Sequence, residues 1–380
     1  MESLLSLIII IAFIITFSYL GPFSDSNSKN LQQASISQTQ NDIPINQITP
    51  PAPKPKQPVV LIDTRITSGP EEGEIIEETN KVVFEFEAQI YSGQIKGKML
   101  FETKIEGFDE DWKKTSSKKR IVILPSGPKE YTFLVRGKIN DFVDPTPAKI
   151  TFKINLSPYF KKVRIATIKT ETFYSPSLIT LSTNLKKEEE INISGWHIRG
   201  KANSFVIPPG IEKYYPGYGP VPEESIFVKQ GDRIYLSASS NPLGKNRNFR
   251  PNKCLGYLAN YHDFIIPLPK KCPKPTREEI SHLNPCCQEF ILRLNRCQIP
   301  DYSNNIRISL DSECVSYLDK NFNYGGCFYQ YSRDKDFLGK NWHIYLNRNI
   351  IVSNDCDTLY LRDQNGLFID KYSYGRAVCQ

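Results

Sequence analysis

Hydrophobic and polar positions alternate with a period of two through most of residues 59–157. The pattern starts at 59–66 (VVLIDTRI) and is clearest at 81–89 (KVVFEFEAQ), where Val82, Phe84 and Phe86 alternate with mainly charged or polar neighbours. It returns at 98–106 (KMLFETKIE), 120–124 (RIVIL), 130–137 (EYTFLVRG) and 149–155 (KITFKIN). Turn-forming SGP, PSGP and DPTP stretches separate the runs. Short alternating strands broken by such turns predict an antiparallel β-sandwich. The same period resumes at 163–168, 177–182 (SLITLS), 191–199 (INISGWHIR), 204–210 (SFVIPPG) and 226–237 (IFVKQGDRIYLS), then at 341–346 (NWHIYL) and 357–372. A second sandwich is expected over 158–380, split by an insertion at about 241–340.

The pattern changes twice. Residues 4–20 (LLSLIIIIAFIITFSYL) are uncharged and long enough, at about 1.5 Å per residue, for a helix to cross a hydrocarbon layer of ~30 Å. No basic residue precedes them, and Ser18-Tyr19-Leu20-Gly21-Pro22 is a poor cleavage site. Residues 1–22 therefore read as an uncleaved N-terminal transmembrane helix, with a cleaved signal as the alternative. Residues 23–58 are polar and then proline-dense, a stalk that cannot offset its chain entropy by burial. Inside the insertion the period shifts to that of helices. One helix is expected from Asn284 as N-cap with Pro285 at the first position, placing Cys287, Phe290, Ile291 and Leu294 on one face. Another is expected near Asp311, with Cys314, Tyr317, Leu318 and Phe322 together.

Two resemblances extend this reading. The run "FETKIEGFDEDWKK…RIVILPSGPKEYTFLVRGKINDFVDPTPAKITFKI" resembles the immunoglobulin- or fibronectin-like modules of bacterial surface and sensor proteins. That likeness implies a core with Trp112 covering one end, and a spacer or binding platform. Asp109-Glu110-Asp111 reads as a solvated turn in preference to a metal site. In the second module, Leu178–Asn184 (LITLSTN), Ile193–Ile198 (ISGWHI), Gln230–Leu236 (QGDRIYL) and Leu359–Gly366 (LYLRDQNG) resemble the lamin-tail domain. That family is a small immunoglobulin-type sandwich of nuclear lamins and many bacterial exported proteins. The segment NFRPNKCLGYL at 248–258 is similar to bacterial relatives with such insertions. Gly195 permits a bend, Trp196 and Trp342 belong in the core, and His197 and His343, each after a core tryptophan, should face outward. The expected fold is mostly β: two immunoglobulin-like β-sandwiches in tandem, the second with a small disulfide-rich helical insertion, after an N-terminal transmembrane helix.

Composition sharpens the picture at two points. The 20 Tyr and 21 Phe against 2 Met suit pleated surfaces. Residues 59–157 hold 15 Lys and Arg against 16 Asp and Glu, whereas 158–380 hold 30 against 22. An anionic partner such as a wall polymer, lipid headgroups or DNA would therefore meet the C-terminal module. All nine cysteines, Cys254, Cys272, Cys286, Cys287, Cys297, Cys314, Cys327, Cys356 and Cys379, lie in the last third. A ~100-residue insertion with short helices needs staples, and outside the cytoplasm these are disulfides. A zinc site lacks CxxC pairs, and His262 and His282 show no ligand spacing. Connectivity stays open: adjacent Cys286 and Cys287 should point to different partners, Cys356 and Cys379 could pair, and one thiol is left over.

No GxSxG, HExxH, P-loop or GxGxxG motif is present, so no enzyme, catalytic residue, metal or cofactor is expected. The expected role is a cell-membrane protein, held by its N-terminal helix with its bulk extracytoplasmic, acting in binding, adhesion or envelope structure toward a protein or glycan. The alternative is a surface anion or DNA binder using the basic module. A cysteine-dependent hydrolase is the remote one.

Overall fold

The computed structural model describes residues 61–375 except 93–94, 202, 216 and 218–220. The first module comprises β1 (Leu61–Ser68), β2 (Glu74–Ile76), β3 (Lys81–Ser92), β4 (Leu100–Glu106), β5 (Lys113–Thr115), β6 (Lys119–Ile123), β7 (Lys129–Ile139), β8 (Phe142–Val143) and β9 (Ala148–Ile154). Two sheets result, β1-β3-β6 and β2-β9-β7-β4-β5, with β8 beside β7. All pairings are antiparallel except β2 with β9. This arrangement fits an immunoglobulin-like sandwich. The alternating Val82, Phe84 and Phe86 of β3 point inward to meet Phe101, Phe133 and Phe152. Phe84 stacks on Phe133 with ring centres 3.9 Å apart.

The acidic run 109–111 is not uniformly solvated, as the sequence had suggested. Asp109 is buried and accepts from the Ile105 N–H at 2.7 Å, with Arg120 at 2.6 Å and Lys113 at 2.8 Å. Burial works against its charge, but Lys113, the Ile105 amide and Arg120 outweigh that and hold its pKa below the ordinary value. Trp112 also departs from expectation. It is half-buried at the rim, beneath the Arg136 guanidinium 4.2 Å from its ring centre, rather than in the core.

The second module contains β10 (Val163–Lys169), β11 (Leu178–Thr183), β12 (Ile191–Asn192), β13 (His197–Arg199), β14 (Ser204–Val206), β15 (Phe227–Val228), β16 (Arg233–Ser237), β17 (Asn341–Tyr345), β18 (Cys356–Arg362) and β19 (Phe368–Gly375). Sheets β10-β11-β16-β17 and β14-β13-β18-β19 enclose one core, with β12 and β15 paired separately. Trp196 is fully buried there and stacks on Tyr159 at 5.5 Å. Gly195, at φ +84°, makes the bend that delivers it. Leu156, Phe160 and Phe368 continue the first module's core into the second, and the Ser157 amide donates to the Phe368 carbonyl. The described residues belong to one compact unit, Pro58–Gln380.

Between β16 and β17 the chain forms a 3-10 turn (Leu255–Asn260) and four helices, α1 (Pro285–Arg293), α2 (Ile306–Ser309), α3 (Ser312–Asn321) and α4 (Tyr324–Tyr331). Asn284 caps α1 by accepting from the Cys286 and Cys287 amides, and Asp311 caps α3 through the Cys314 amide. The insertion covers the outer face of the β16–β17 sheet, which makes β17 two-faced. Trp342 and Ile344 enter the sandwich core, while Tyr345 joins the insertion's cluster. His343 faces the insertion too, between Tyr235 and Phe249. The outward, exposed position expected for His343 is therefore wrong, whereas His197 is exposed.

Among the described residues no helix is long and apolar enough to cross a membrane. The transmembrane helix in the expected fold class is corrected accordingly: the fold is mostly β with short helices and disulfides, and the expected helix at 1–22 and stalk at 23–58 lie outside the described residues.

Two consequences can be measured. Trp196→Ala should destabilise by roughly 3–5 kcal/mol, the usual loss for emptying a core site, and His197→Ala by no more than about 0.5 kcal/mol. Chemical denaturation would read both, and equal losses would contradict the strand register. Burial holds the His343 pKa down at about 3, so the neutral ring is the folded form. The unfolded chain takes up this proton first, so the contribution is intact at neutral pH and is lost as pH falls from about 6.5 toward 3. Going from about pH 7 to about pH 5 should remove roughly 2 kcal/mol. His343→Met should flatten that part of the melting profile; an unchanged slope would exclude the effect.

Candidate functional site

The phrase at 248–257 sets the insertion on the sandwich, one residue at a time. Asn248 is buried, donates to the Pro209 carbonyl at 3.1 Å and accepts from the Tyr345 amide at 2.8 Å. Phe249 exchanges backbone hydrogen bonds with His343, and its amide donates at 3.1 Å. Arg250 reaches Asp232 at 3.4 Å, Glu212 at 3.1 Å and the Gly339 carbonyl at 2.7 Å, near the face of Trp342. Burial raises the Asp232 pKa; the Lys229 amide and Arg250 oppose this. Asn252 donates to the Tyr324 hydroxyl at 3.1 Å and accepts from the Cys254 amide. A side chain at Gly256 would collide with the Cys297 sulfur and the Pro269 carbonyl.

Three disulfides close this assembly: Cys254–Cys327, Cys272–Cys297 and Cys287–Cys314. Cys286 is free and exposed at the start of α1. Cys356 is disulfide-bonded as well; its expected partner Cys379 lies outside the described residues. Among the described residues no group of three or more His, Cys, Asp or Glu could hold a metal ion. His262 packs edge-on to Phe264 and His282 to Tyr317.

The bridges also place charge. Lys253, Lys271 and Arg296 each adjoin a bridged cysteine, namely Cys254, Cys272 and Cys297. With Lys270 and Lys340 they line a cleft of about 820 Å³ at the end of the sheet where β17 begins. A neighbouring hollow of about 520 Å³ shares Lys270 and Arg296. Lys253 is committed to Asp334 and Asp336, both at 2.7 Å. Burial lowers its pKa, but the two carboxylates outweigh that and raise it. Arg296 donates to the Cys272 carbonyl at 2.8 Å, which ties it to the loop segment carrying Lys271. Lys270, Lys271, Arg296 and Lys340 are exposed, and none has an ion-pair partner among the described residues. Four cations without ion-pair partners among the described residues thus surround one concave surface and give it positive potential. Bulk charge in the sequence indicated a basic module but not this cleft, whose members come from 253 to 340.

The Cys287–Cys314 bridge joins α1 to α3 in an apolar cluster of its own with Ile280, Ile291 and Leu318. It closes 27 residues, worth about 3.5 kcal/mol in the chain-entropy model. Reductant should therefore make the α1–α3 lobe protease-sensitive first, while the cysteine-free first module stays intact. Limited proteolysis followed by mass spectrometry would show this, and simultaneous cleavage of both regions would contradict it.

No protein-family model matches the chain, and no curated protein matches it. Among solved structures, the FN1–FN3 domains of chicken CNTN1 are similar at 9% identity over 38% of this chain and 50% of that one, with a TM-score of 0.16. An alfa-L-rhamnosidase from Aspergillus terreus is similar at 11% identity over 46% of this chain and 23% of that one, also with a TM-score of 0.16. The chain thus spans half or less of the length of either structure, and the lamin-tail likeness rests on the residues quoted for it.

Proposed function

We infer that this chain is an exported binding module whose second sandwich, of the lamin-tail kind, uses its stapled insertion to hold a polyanionic chain. The observation that carries the reading is the cleft itself, where Lys270, Lys271 and Arg296 stand unpaired beside the Cys272–Cys297 bridge and Lys340 stands unpaired just before β17. Side chains held in place before the ligand arrives lose less entropy on binding, which favours a preformed site. Export is supported by the closed bridges, which persist in oxidising compartments. A binding role is favoured over catalysis because six of the insertion's seven cysteines are bridged, and His343 is buried and neutral. The first sandwich then acts as a rigid spacer, welded to the second through Leu156, Phe160 and Phe368.

Binding of a labelled DNA duplex and of a heparin oligosaccharide, measured across a salt series, tests this. Affinity should fall steeply with salt, and for the duplex Lys270→Gln/Lys271→Gln/Arg296→Gln should reduce the log–log slope by about 2–3. Salt-independent binding, or a triple variant with unchanged affinity for both probes, would overturn the reading.

A further inference from the structure

The hairpin between β10 and β11 ends in two aromatic side chains that touch little but each other. Phe173 is 94% and Tyr174 89% exposed, with their rings edge to face at 5.0 Å. They occupy the centre of a tight turn in which the Thr172 amide donates to Ser175 at 2.8 Å and the Ser175 amide returns the bond at 3.3 Å. Turn centres favour Gly, Asn, Asp or Pro for backbone reasons. Phe-Tyr serves none of those needs, and it leaves two large apolar surfaces in water. The Glu171 amide also donates to Asn354 Oδ1 at 3.2 Å, joining the base of the turn to the loop before β18. The rings are therefore presented by the fold.

Strand register shows what surrounds them. Lys169 pairs with Leu178, Leu178 with Ser237 and Ser237 with Tyr345, so the hairpin tip lies at the end of the sandwich where β16 and β17 finish. The chain after β16 and after β17 meets there: the Arg348 amide donates to the Ala238 carbonyl, and the Arg348 guanidinium to the Ser204 carbonyl. The Lys201 amide binds the buried Asp357 carboxylate beside the start of β18. That end thus gathers Lys169, Lys201, Lys245, Arg247 and Arg348, the last three lining a hollow of about 420 Å³. Against them stand the exposed Glu171 and Asp355, the buried Asp357, and the half-buried Glu223, which accepts from the Asn248 amide beside that hollow. The first module joins the opposite end, through Leu156 and Phe368, and the polyanion cleft also lies there, at the start of β17.

We propose that this free end docks peripherally on an anionic lipid bilayer, with Phe173 and Tyr174 entering the interfacial layer and the surrounding cations meeting the headgroups. Aromatic rings settle at that depth because it offers apolar contact and a wet edge for the tyrosine hydroxyl. Each Lys or Arg near an anionic leaflet contributes in proportion to its surface potential. The paired aromatics form a convex prow instead of a groove, and convexity suits a deformable surface better than a folded partner. Because the first module hangs from the far end, it leaves the approach to a flat surface open.

The test uses the full chain carrying Tyr174→Trp. The native Trp196 and Trp342 are buried and Trp112 is covered by Arg136, so the wild-type chain is the background control. On vesicles of phosphatidylglycerol and phosphatidylcholine with brominated acyl chains, emission from the new tryptophan should shift to the blue and be quenched; on pure phosphatidylcholine it should not. Adding Lys169→Gln, Lys201→Gln and Lys245→Gln should raise the lipid concentration for half-maximal quenching on the order of a hundredfold. Binding of the DNA duplex should be unaffected by these changes, which separates this site from the cleft. Absence of quenching on anionic vesicles, equal quenching on neutral ones, or protection of the tryptophan by a glycan or protein in place of lipid would each overturn the proposal.

Discussion

The second module depends on one strand being buried on both faces. β17 lies parallel to β16 and offers Trp342 and Ile344 to the sandwich core, while His343 and Tyr345 turn to the insertion. A strand with one wet face tolerates slippage of its cover, but a strand with two buried faces does not, because sliding by one residue exchanges every side chain between two packed cores. The insertion is consequently the third layer of the fold, and Phe249 and Asn248 fasten it by backbone and side-chain bonds to that same strand. The buried Arg250–Asp232 pair extends the contact across Trp342 to the start of β17. Removing one partner of such a pair costs far more than the pair contributes, which fixes register more than it adds stability.

From that weld the chemistry follows. The disulfides do more than stabilise short helices. Cys254–Cys327 secures the backbone beside Lys253, and Cys272–Cys297 secures that beside Lys271 and Arg296, two charges that keep their spacing without carboxylates to hold them. Lys253 is paired with Asp334 and Asp336, whereas the other four cations have no ion-pair partner among the described residues. The molecule thus carries one concave cationic surface where β17 begins and one convex aromatic and cationic surface where it ends.

Much of the β framework was legible in the sequence because alternation at 81–89, 130–137 and 149–155 directly reports which side chains are buried. The caps at Asn284 and Asp311 were equally readable, since capping is a local hydrogen bond. α4 was not, because YGGC lowers helix propensity; Gly326 is required there by the Lys320 carbonyl, with which any side chain would collide. His197 and His343 share the pattern Trp-His-Ile, yet only a contact some 90 residues distant in sequence, with Phe249, decides that His343 is buried. The resemblance to immunoglobulin-like modules implies a core position for Trp112, which is instead a half-buried platform for Arg136. The cleft was illegible because its members converge through disulfide pairings that sequence does not specify.

Amide hydrogen exchange of the oxidised chain with and without a DNA duplex tests most directly the claim that the stapled insertion is the binding surface. The account predicts slower exchange on binding at Lys270–Cys272, Arg296 and Gly339–Lys340, with β17 strongly protected in both states and the first module unchanged. Protection that rises along the first module instead, or a β17 that exchanges like an exposed edge strand, would contradict it.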